Sequence, residues 1–480
     1  MAGELLDRDA TDQLQALAAR RVSAVELLKA ALARHAETHK TLNAVVAADP
    51  ERALERARAI DDARLKGEAP GALAGLPMTI KDTFDVSGMA ASSGLAELRR
   101  RMTEDATAVR HARDAGAVIW GKTNVPVMAA DWQSANPLYG ATNNPWDPAR
   151  TPGGSSGGAA AALAARVTAL EIGSDIGGSL RVPASFCGVF SHKPTWGMVG
   201  QRGHVPPHPG SYAERDLNVV GPLARSARDL RMLLSILEAG PLAPKAPPAD
   251  LAETRIGLWL DEARCPLDPE VRAVLEAFAQ QLRDAGAEVE PIRSPVDMTA
   301  LLGAYQTLLG AVLGEDLPPK LIRRMERARS LAGLFGGGDG DDPFSPLHLA
   351  RAYTARHREW LAADAVRARL RHEIGDAFER HHVILAPIAP VAAFPHETRP
   401  FQKRSLTLSD GQAIPYNSML TWIGLATALH LPATAVPAGR TPGGLPVGAQ
   451  IIGPLGGDSR TLAVAQAIDE NVRGFEPPPI

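Results

Sequence analysis

The sequence predicts an α/β fold around a large, mixed and mostly parallel β-sheet that is flanked by helices. Two observations support this prediction. From Gly75 onward, short apolar runs bounded by glycine and proline alternate with longer segments of helical periodicity. An alanine-rich helical stretch over 156–165 is followed by an apolar run over 167–172, which is the order of a crossover helix and its returning strand. With 480 residues, one large domain or two interleaved lobes are both compatible with this pattern.

The individual elements follow from the hydrophobic pattern. Residues 9–65 are predicted to be helical, because leucine and valine recur at helical spacing. Within them, Ser-Ala-Val-Glu at 23–26 has the form of a capping box. Further helices are predicted over residues 268–286 (with a capped N-terminus), 300–332 and 347–381. Strands are predicted over residues 76–80, 117–120, 167–172, 254–260, 383–386, 433–436 and 447–452.

Two segments are predicted to be irregular. Prolines recur between residues 240 and 250 and break any regular element, so this stretch is predicted to be a linker between lobes. The glycine- and aspartate-rich run 336–342 is predicted to be a surface loop. Its composition favours a solvated connector over a lid.

Composition and charge indicate an ordinary soluble protein. Hydrophobic residues make up 45% of the chain and charged residues 22%. With 51 basic and 54 acidic residues the net charge is −3, so a nucleic-acid partner is not expected. Cys187 and Cys265 cannot form a disulfide framework and are expected to be reduced thiols. Without a signal-peptide pattern or an apolar run near the ~20 residues that span a bilayer, we expect a cytoplasmic protein without a membrane partner.

Three polar segments are predicted to meet at one edge of the sheet. Lys81 follows the first predicted strand, Ser155 begins the alanine-rich helix, and the Ser-Asp-Ile-Gly-Gly-Ser run 174–179 follows the next strand. In an open α/β sheet, the carboxyl ends of strands and the N-termini of helices lie at the same edge, where ligands bind.

These residue types suit hydrolysis at an acyl carbon without histidine. Ser179 is the candidate nucleophile, and a serine hydroxyl at neutral pH needs a base. Lys81 works as that base only when it is neutral, which burial favours, and Ser155 is placed to pass a proton between the two. Small residues before Ser179 leave backbone N–H groups free to hold an oxyanion, and losing one such donor typically costs about 2.7–4 kcal/mol in the barrier. The candidates for this nest are Ile176, Gly177 and Gly178, and the candidate supporting residues are Ser156, Asp175 and Arg181.

Each motif taken alone has a plainer interpretation. A lone lysine after a strand is usually a surface residue, and Gly-Gly-Ser-Ser-Gly-Gly is more often a flexible or anion-binding loop. The joint occurrence of these motifs with a second Gly-Gly-Ser favours a reactive site. The run 153–157 fits the Gly-x-Ser-x-Gly nucleophile elbow, but the segment before it cannot be a buried strand. No Walker lysine follows the glycine-rich run, so a P-loop is excluded, and no zinc-binding motif is present, so a zinc site has no support.

The sequence resembles the amidase signature family in several ordered blocks. Gly-Leu-Pro-Met-Thr-Ile-Lys-Asp at 75–82 is similar to the lysine segment of the family. Thr-Pro-Gly-Gly-Ser-Ser-Gly-Gly at 151–158 and Gly-Ser-Asp-Ile-Gly-Gly-Ser-Leu-Arg-Val-Pro at 173–183 resemble its signature. The resemblance continues through residues 186–190, 193–195 and 444–453. It is dense over residues 70–240, recurs near 385–470 and is thin across 250–380.

The resemblance implies a single α/β/α domain around a large mixed sheet, without a metal or an organic cofactor. It implies that Ser179 is the acylated nucleophile, that Ser155 is a bridging serine at a cis peptide bond, and that Lys81 is the general acid and base. The oxyanion is then expected on the backbone amides of residues 176–179. Ala129 stands where members of the family contact the acyl or leaving group of the substrate.

Two positions depart from the family pattern. Glu171 stands where many members have a small residue, and Val127 stands where many have a carboxylate, which is expected to alter the pocket wall. The resemblance also fades over 300–350, where the predicted helices are apolar and rich in arginine. We expect this region to form much of a roomy, mostly hydrophobic pocket together with Met128 and Trp132.

The single domain is expected to span residues 1–480. Its parts are an N-terminal helical segment (1–70), a signature core (71–240), a variable and mostly helical region that forms the pocket (250–380), and a C-terminal return to the sheet (381–480).

The sequence thus predicts a serine hydrolase that cleaves a carbon–nitrogen acyl bond through an acyl-enzyme. Linear amides are the expected substrates, and carbamates and esters are further ones for the same machinery. The expected partner is a small-molecule amide or carbamate, with no nucleic acid, and the expected assembly is a monomer or homodimer. Two alternatives remain open: the amidase subunit of a tRNA-dependent amidotransferase, which passes ammonia to a partner, and a non-catalytic binding protein on the same fold.

Overall fold

The computed structural model describes residues 2–68, 71–206, 210–238, 250–315, 317–334 and 342–480. Within these residues, an eleven-stranded β-sheet forms the centre and three two-stranded ribbons lie outside it. The strands are β1 (Val45–Ala48), β2 (Pro77–Lys81), β3 (Ala90–Ala91), β4 (Arg100–Arg101), β5 (Val118–Thr123), β6 (Ala135–Asn136), β7 (Gly140–Ala141), β8 (Leu170–Asp175), β9 (Phe190–Lys193), β10 (Val219–Ala224), β11 (Arg255–Leu258), β12 (Glu288–Pro291), β13 (Val383–Pro387), β14 (Ser405–Thr407), β15 (Ala413–Pro415), β16 (Ala433–Arg440) and β17 (Pro446–Ile452).

The large sheet is mixed, as predicted, but it is not mostly parallel. Its strand order is β1-β5-β2-β8-β10-β9-β16-β17-β13-β11-β12. Among the described strands, four neighbouring pairs are parallel (β5–β2, β2–β8, β13–β11 and β11–β12), and the other six are antiparallel. Apolar runs do not encode strand direction, which depends on how the connections cross the sheet. The sequence pattern therefore could not settle this point.

Helices flank the sheet and largely follow the predicted ones. They are α1 (Ala2–Leu5), α2 (Ala10–Ala18), α3 (Ala24–Leu42), α4 (Pro50–Leu65), α5 (Thr107–Asp114), α6 (Gly157–Ala164), α7 (Arg181–Cys187), α8 (Ala227–Leu237), α9 (Pro269–Asp284), α10 (Met298–Gly314), α11 (Pro319–Leu334), α12 (Pro346–Tyr353), α13 (His357–Glu373), α14 (Gly375–Arg380), α15 (Met419–Ala428) and α16 (Asp458–Asn471).

Two predicted helix starts are confirmed by their caps. The capping box at α3 is present: the Ser23 hydroxyl accepts from the Glu26 backbone N–H at 3.1 Å, and the Glu26 carboxylate accepts from the Ser23 N–H at 2.8 Å. Asp268 caps α9 by accepting from the backbone N–H of Glu270 at 2.8 Å.

The predicted continuous helix over 9–65 is wrong at β1. Asn43 adopts a left-handed conformation with φ of 50° and ends α3, after which β1 pairs with β5 at the edge of the sheet. The strand predicted over 167–172 is displaced and becomes β8, whose antiparallel pairing with β10 extends to Asp175. In both places pairing with a distant strand outweighs local periodicity.

The strands that carry the polar segments end side by side. β2 and β8 are parallel neighbours, with Thr79 opposite Glu171 and Ile80 opposite Ile172, so their carboxyl ends share one edge of the sheet. The buried helix α6 begins at the same place. A Cβ on Gly158 would come within 2.4 Å of the Asn124 backbone nitrogen, so glycine is required for this close approach to the end of β5.

The predicted linker over 240–250 and the predicted loop over 336–342 lie almost wholly outside the described residues. Cys187 and Cys265 are both free and buried. Among the helices of the described ranges, none combines the length and the apolar character that crossing a bilayer requires.

Candidate active site

Lys81 lies at the end of β2 and is completely buried. Its Nζ lies 2.8 Å from the Ser155 hydroxyl and 2.9 Å from the Ser174 hydroxyl. Burial lowers the pKa of Lys81 to about 7, against the opposing effect of the Asp175 and Glu171 carboxylates. A lysine in this state is neutral in a large fraction of molecules at pH 7 and can accept a proton.

Ser155 lies in the loop before α6, and its peptide bond to Gly154 is cis. The Ser134 side chain anchors this loop by two hydrogen bonds. Its hydroxyl donates to the Gly153 carbonyl at 3.1 Å and accepts from the Gly157 N–H at 3.0 Å. A Cβ on Gly154 would lie 2.5 Å from the Asp131 carbonyl oxygen, so this close packing of the loop requires glycine.

Ser179 follows β8 and lies at the start of the turn into α7. Its side chain is 6% exposed, and it lines one cavity together with Ser155 and Ser174. The Ser156 backbone N–H donates to the Ser179 carbonyl at 3.2 Å, which ties the two glycine-rich loops to each other. Strand ends and helix N-termini were expected to meet at one edge of the sheet. The structure brings Lys81, Ser155 and Ser179 together there.

Two carbonyls in the loop before Ser179 are engaged by hydrogen bonds. The Tyr305 hydroxyl donates to the Ile176 carbonyl at 2.8 Å, and the Val182 N–H donates to the Gly178 carbonyl at 2.7 Å. In a trans peptide the N–H points opposite to the C=O. The N–H groups of Gly177 and Ser179 therefore point away from Tyr305 and Val182, and both residues line the cavity.

The oxyanion role expected for Gly178 stays a prediction. Its N–H donates to Asp175 Oδ1 at 2.8 Å, so it is engaged inside the loop. Gly178 is also absent from the described residues that line the cavity, whereas Ile176, Gly177 and Ser179 are present. The sequence pattern could not show this, because the direction of an N–H depends on the partner that its side of the peptide meets.

Asp175 and Arg181 form a buried pair that shapes this loop. Arg181 Nε and Nη2 donate to the two Asp175 oxygens at 3.1 and 3.0 Å, and neither side chain is exposed. The remaining Arg181 N–H groups donate to the Ile423 carbonyl, Gln450 and Thr427 at 3.1, 2.9 and 2.7 Å. All five donors of the guanidinium are thus used. Although burial acts to raise it, Arg181 holds the pKa of Asp175 below its ordinary value.

Replacing Arg181 with methionine is expected to destabilise the protein by about 3–5 kcal/mol, because it leaves the Asp175 carboxylate buried without a counter-charge. Urea unfolding at pH 7 measures this loss. Arg181→Lys keeps the charge but not the five-donor fork, so it is expected to fall between wild type and Arg181→Met. Equal stability of all three proteins would contradict this account of the loop.

Glu171 lies beneath the site in β8 and is fully buried. Its Oε1 accepts from the Thr79 hydroxyl at 2.5 Å. Burial raises the pKa of Glu171 to about 8, so the carboxyl is largely protonated at neutral pH. This departure from the family pattern therefore adds little negative charge next to Lys81.

The cavity at the site has a volume of about 840 Å³. As expected, Ala129, Met128 and Trp132 line it, together with the region that follows residue 300. Val127 is not among the described lining residues, although the next residue, Met128, is. The apolar side chains of the cavity include Leu309, Leu313, Leu321, Met325, Phe344, Leu349 and Leu420, and the charged ones are Asp131, Arg215 and Arg324.

Sequence reasoning missed three residues that organise the site. Tyr305 lies in the apolar helix α10, and Ser134 lies next to two very short strands; neither stands in a recognisable motif. His204 lies in a loop, and its Nε2 is 2.8 Å from the Ser174 hydroxyl. None of these three residues carried a signal in the sequence, whereas their partner Ser174 belongs to the Ser-Asp-Ile-Gly-Gly-Ser run 174–179.

Within the part of the chain that the structure describes, no group of three or more histidine, cysteine, aspartate or glutamate side chains is arranged to hold a metal ion.

Comparison with known proteins decides the family. A family model described as Amidase matches residues 26–462. The chain belongs to the amidase signature family. The family covers nearly the whole chain, including the stretch across 250–380 where the motifs are thin.

Three proteins illustrate the relationship. The A subunit of glutamyl-tRNA(Gln) amidotransferase from Symbiobacterium thermophilum is 33% identical over 95% of this chain and 95% of its own length. The protein of the same name from Methylococcus capsulatus is 34% identical over 95% of this chain and 96% of its own. The solved structure of native peptide amidase from Stenotrophomonas maltophilia is 26% identical, covers 99% of both chains and superposes with a TM-score of 0.77.

These relatives contradict the expected partners. The expected partner was a small-molecule amide or carbamate, acted on by a monomer or homodimer. A nucleic-acid partner was not expected, because the net charge is near neutral and no basic block is present. The amidotransferase relatives are named as one subunit of an assembly, and a tRNA is part of that name. Net charge describes the average surface of one chain, so it does not report on partners that other members of an assembly engage.

Proposed function

We propose that this amidase cleaves a carbon–nitrogen acyl bond through an acyl-enzyme on Ser179, as the amide-hydrolysing subunit of a tRNA-dependent amidotransferase. The observation that carries the chemistry is the 2.8 Å contact between the buried Lys81 Nζ and the Ser155 hydroxyl. A buried amine with a pKa near 7 is a base of suitable strength for work at neutral pH. The contact of this amine with a serine hydroxyl that lines the cavity weighs against a binding-only role.

In the proposed mechanism, the Ser179 hydroxyl attacks the carbonyl carbon of the amide. Its proton passes through Ser155 to Lys81 as the new C–O bond forms. The oxyanion is held by backbone N–H groups of Ile176, Gly177 and Ser179, whose removal one at a time would typically cost about 10²–10³-fold in rate. Lys81 returns the proton through Ser155 to the leaving nitrogen, and the C–N bond breaks. Water, activated by the same pair, then releases the acid from Ser179.

The assignment to an amidotransferase is supported by the amidotransferase relatives, which match at 33–34% identity over 95% of this chain. In such an assembly the nitrogen that leaves the acyl carbon is ammonia, so the substrate is a primary amide such as the side chain of glutamine. The test measures ammonia release from glutamine by the purified chain alone, and by the assembly isolated from native cells with and without glutamyl-tRNA. Release that increases with the assembly and the tRNA supports the assignment; glutamine left intact under all conditions contradicts it.

A second candidate function, an amidase for amides of apolar acids, is favoured by the cavity. Its apolar side chains outnumber its charged ones, and two of the charged groups are already paired. Arg215 donates to Glu315 at 2.8 Å, and the Asp131 carboxylate accepts from Arg404 at 2.5 Å and from the Tyr416 hydroxyl at 2.7 Å. An apolar acyl chain would gain about 25 cal/mol for each Å² of surface that it buries there.

A panel of p-nitroanilides of acetic, octanoic and phenylacetic acid, with matching aryl carbamates and esters, tests this second candidate. Preference for the longer acids by the isolated chain supports it. Turnover of glutamine alone, with none of the panel cleaved, favours the amidotransferase assignment instead.

Leu313 allows a sharper test of the cavity, because it lies on α10, lines the cavity and is only half-buried. Leu313→Trp is expected to lower kcat/KM for the octanoyl anilide by about 10–200-fold, since it fills space worth one or more methylene groups. The acetyl anilide, whose acyl group is much shorter, is expected to change less than about twofold. Equal loss on both substrates would show that the variant harms the site as a whole rather than the acyl chain's space.

A further inference from the structure

A second polar chain meets Lys81 on the side opposite Ser155. Lys81 Nζ lies 2.9 Å from the Ser174 hydroxyl, which lies 2.8 Å from His204 Nε2. His204 Nδ1 lies 2.8 Å from the Pro206 carbonyl oxygen. Lys81, Ser174 and His204 are each at most 5% exposed. The mechanism proposed above uses only Lys81 of these three.

The partners determine where the hydrogens lie. The Pro206 carbonyl can only accept, so His204 Nδ1 carries the proton and Nε2 of the neutral ring is an acceptor. Burial, with a further contribution from the Lys81 charge, lowers the pKa of His204 to about 3, so the ring is neutral across the working pH range. The Ser174 hydroxyl therefore donates its hydrogen to His204 Nε2.

This arrangement dictates how Lys81 is oriented. With its hydrogen used on His204, the Ser174 hydroxyl can only accept from Lys81. A neutral lysine amine has two hydrogens and one lone pair, and one hydrogen is thus held toward Ser174. The lone pair is left for the Ser155 hydroxyl on the other side. If Ser174 were free to turn, its hydrogen would occupy that lone pair.

The loop holds His204 firmly against the strand that carries Lys81. The His204 ring packs edge-to-face on Phe84 with centroids 4.9 Å apart. The Val205 N–H donates to the Thr83 carbonyl at 2.7 Å, and the Asp85 N–H donates to the Gly203 carbonyl at 2.8 Å. These contacts lie within four residues of Lys81, so the spacing between lysine and histidine is set locally.

We propose that His204 is a positioning residue that acts through Ser174 to direct the lone pair of Lys81 toward Ser155. The proposal rests on the proposed acylation of Ser179, and it is independent of which amide is cleaved. The charged and titratable groups that face Lys81 are Glu171 and Asp175 of β8 and His204 itself, and the first two are unchanged in the variants below.

The test uses phosphonylation of Ser179 by an alkyl fluorophosphonate, which needs no natural substrate. The Ser179 oxygen bonds to phosphorus, fluoride leaves, and the serine proton passes through Ser155 to Lys81. His204→Asn keeps a donor to Pro206 but is too short to reach Ser174. It is expected to slow labelling at saturating reagent by about 10–100-fold, because the base is misdirected, with the half-saturating concentration unchanged. His204→Gln places an amide oxygen near the position of Nε2 and is expected to stay within about threefold of wild type.

Two readouts separate positioning from a structural role. In a Ser174→Ala background, His204→Asn is expected to slow labelling further by less than about twofold, because no Ser174 hydroxyl remains to occupy the lone pair of Lys81. The labelling rate is expected to fall on the acid side of its pH profile, where Lys81 becomes protonated. In His204→Asn this acid limb is expected to move to lower pH, because a Ser174 hydroxyl that donates to Lys81 stabilises the neutral amine and lowers its pKa. Additive losses, or an unmoved acid limb, would overturn the proposal.

His111→Leu is the matched control, since it removes another histidine, half-buried in this case, whose Nδ1 also lies near a backbone carbonyl, that of Leu237 at 3.2 Å. It is expected to label at the wild-type rate. If His204→Asn folds and labels at the wild-type rate, the proposal is overturned. If His204→Asn does not fold, slow labelling by a folded His204→Gln overturns it instead. Labelling that persists in Ser179→Ala would instead refute the acyl-enzyme, which keeps the two failures distinct.

Discussion

Ser179→Ala is expected to lower kcat/KM for any amide substrate by about 10⁴–10⁶-fold while the protein stays folded. The proposed mechanism has no substitute for the nucleophile, and the Ser155 hydroxyl already bonds to Lys81 at 2.8 Å. In serine hydrolases the loss of one member of such a unit removes nearly all of the acceleration, with a residual contribution from the oxyanion site. Initial rates with the anilide panel, together with thermal unfolding, measure both parts of this expectation.

Ser235→Ala is the control for this experiment. Ser235 lies on α8, and its hydroxyl donates to the Met232 carbonyl at 2.7 Å outside the cavity. It is expected to keep wild-type activity. If Ser179→Ala retained more than about a tenth of the wild-type rate, the nucleophile would have to be another residue.

Lys81→Met is expected to lower kcat by about 10²–10⁴-fold, which is the range for loss of a general base. In the wild type only the neutral amine can accept the proton from Ser155. Burial lowers the pKa of Lys81 to about 7, so activity is expected to rise as pH increases through 7 and to level off above it. The variant is expected to lose this acid limb together with the rate. A pH–rate profile from 5.5 to about 9 measures both changes.

Lys193 provides a matched control, because it too is buried and its pKa is also lowered by burial to about 7. Its Nζ donates only to the Pro194 carbonyl at 2.9 Å among the described contacts, and it does not line the cavity. Lys193→Met is expected to keep both the rate and the acid limb. Were the limb to vanish in Lys193→Met and survive in Lys81→Met, the titrating group would have been assigned to the wrong lysine.

Both predictions depend on a base that works because it is buried. A lysine in water would be protonated at neutral pH, since its ordinary pKa lies near 10.4. Here desolvation outweighs the attraction of Asp175 and Glu171, and Glu171 is itself largely protonated because burial raises its pKa to about 8. The negative charge of Glu171, which would favour the ammonium form of Lys81, is thus reduced.

Much of the fold could be predicted because its signals are local. The capping box at Ser23, the aspartate cap of α9 and the apolar runs that became β2, β13 and β17 each depend on neighbouring residues alone. The predictions failed where distant pairing decides. β1 forms because it reaches β5, and most neighbouring strands run antiparallel because of how the chain crosses the sheet.

The same division holds for the candidate site. By itself, the sequence determined which residues carry the hydroxyls and the amine, and that they converge, because motif chemistry and the crossover rule depend only on residue type and element order. Tertiary structure alone decided three hydrogen bonds: that of the Gly178 N–H to Asp175, that of the Tyr305 hydroxyl to the Ile176 carbonyl, and that between Ser174 and His204. It also decided the pKa of Lys81. Hydrogen-bond direction and desolvation arise from side chains that are far apart in the chain, and no local pattern of residues encodes them.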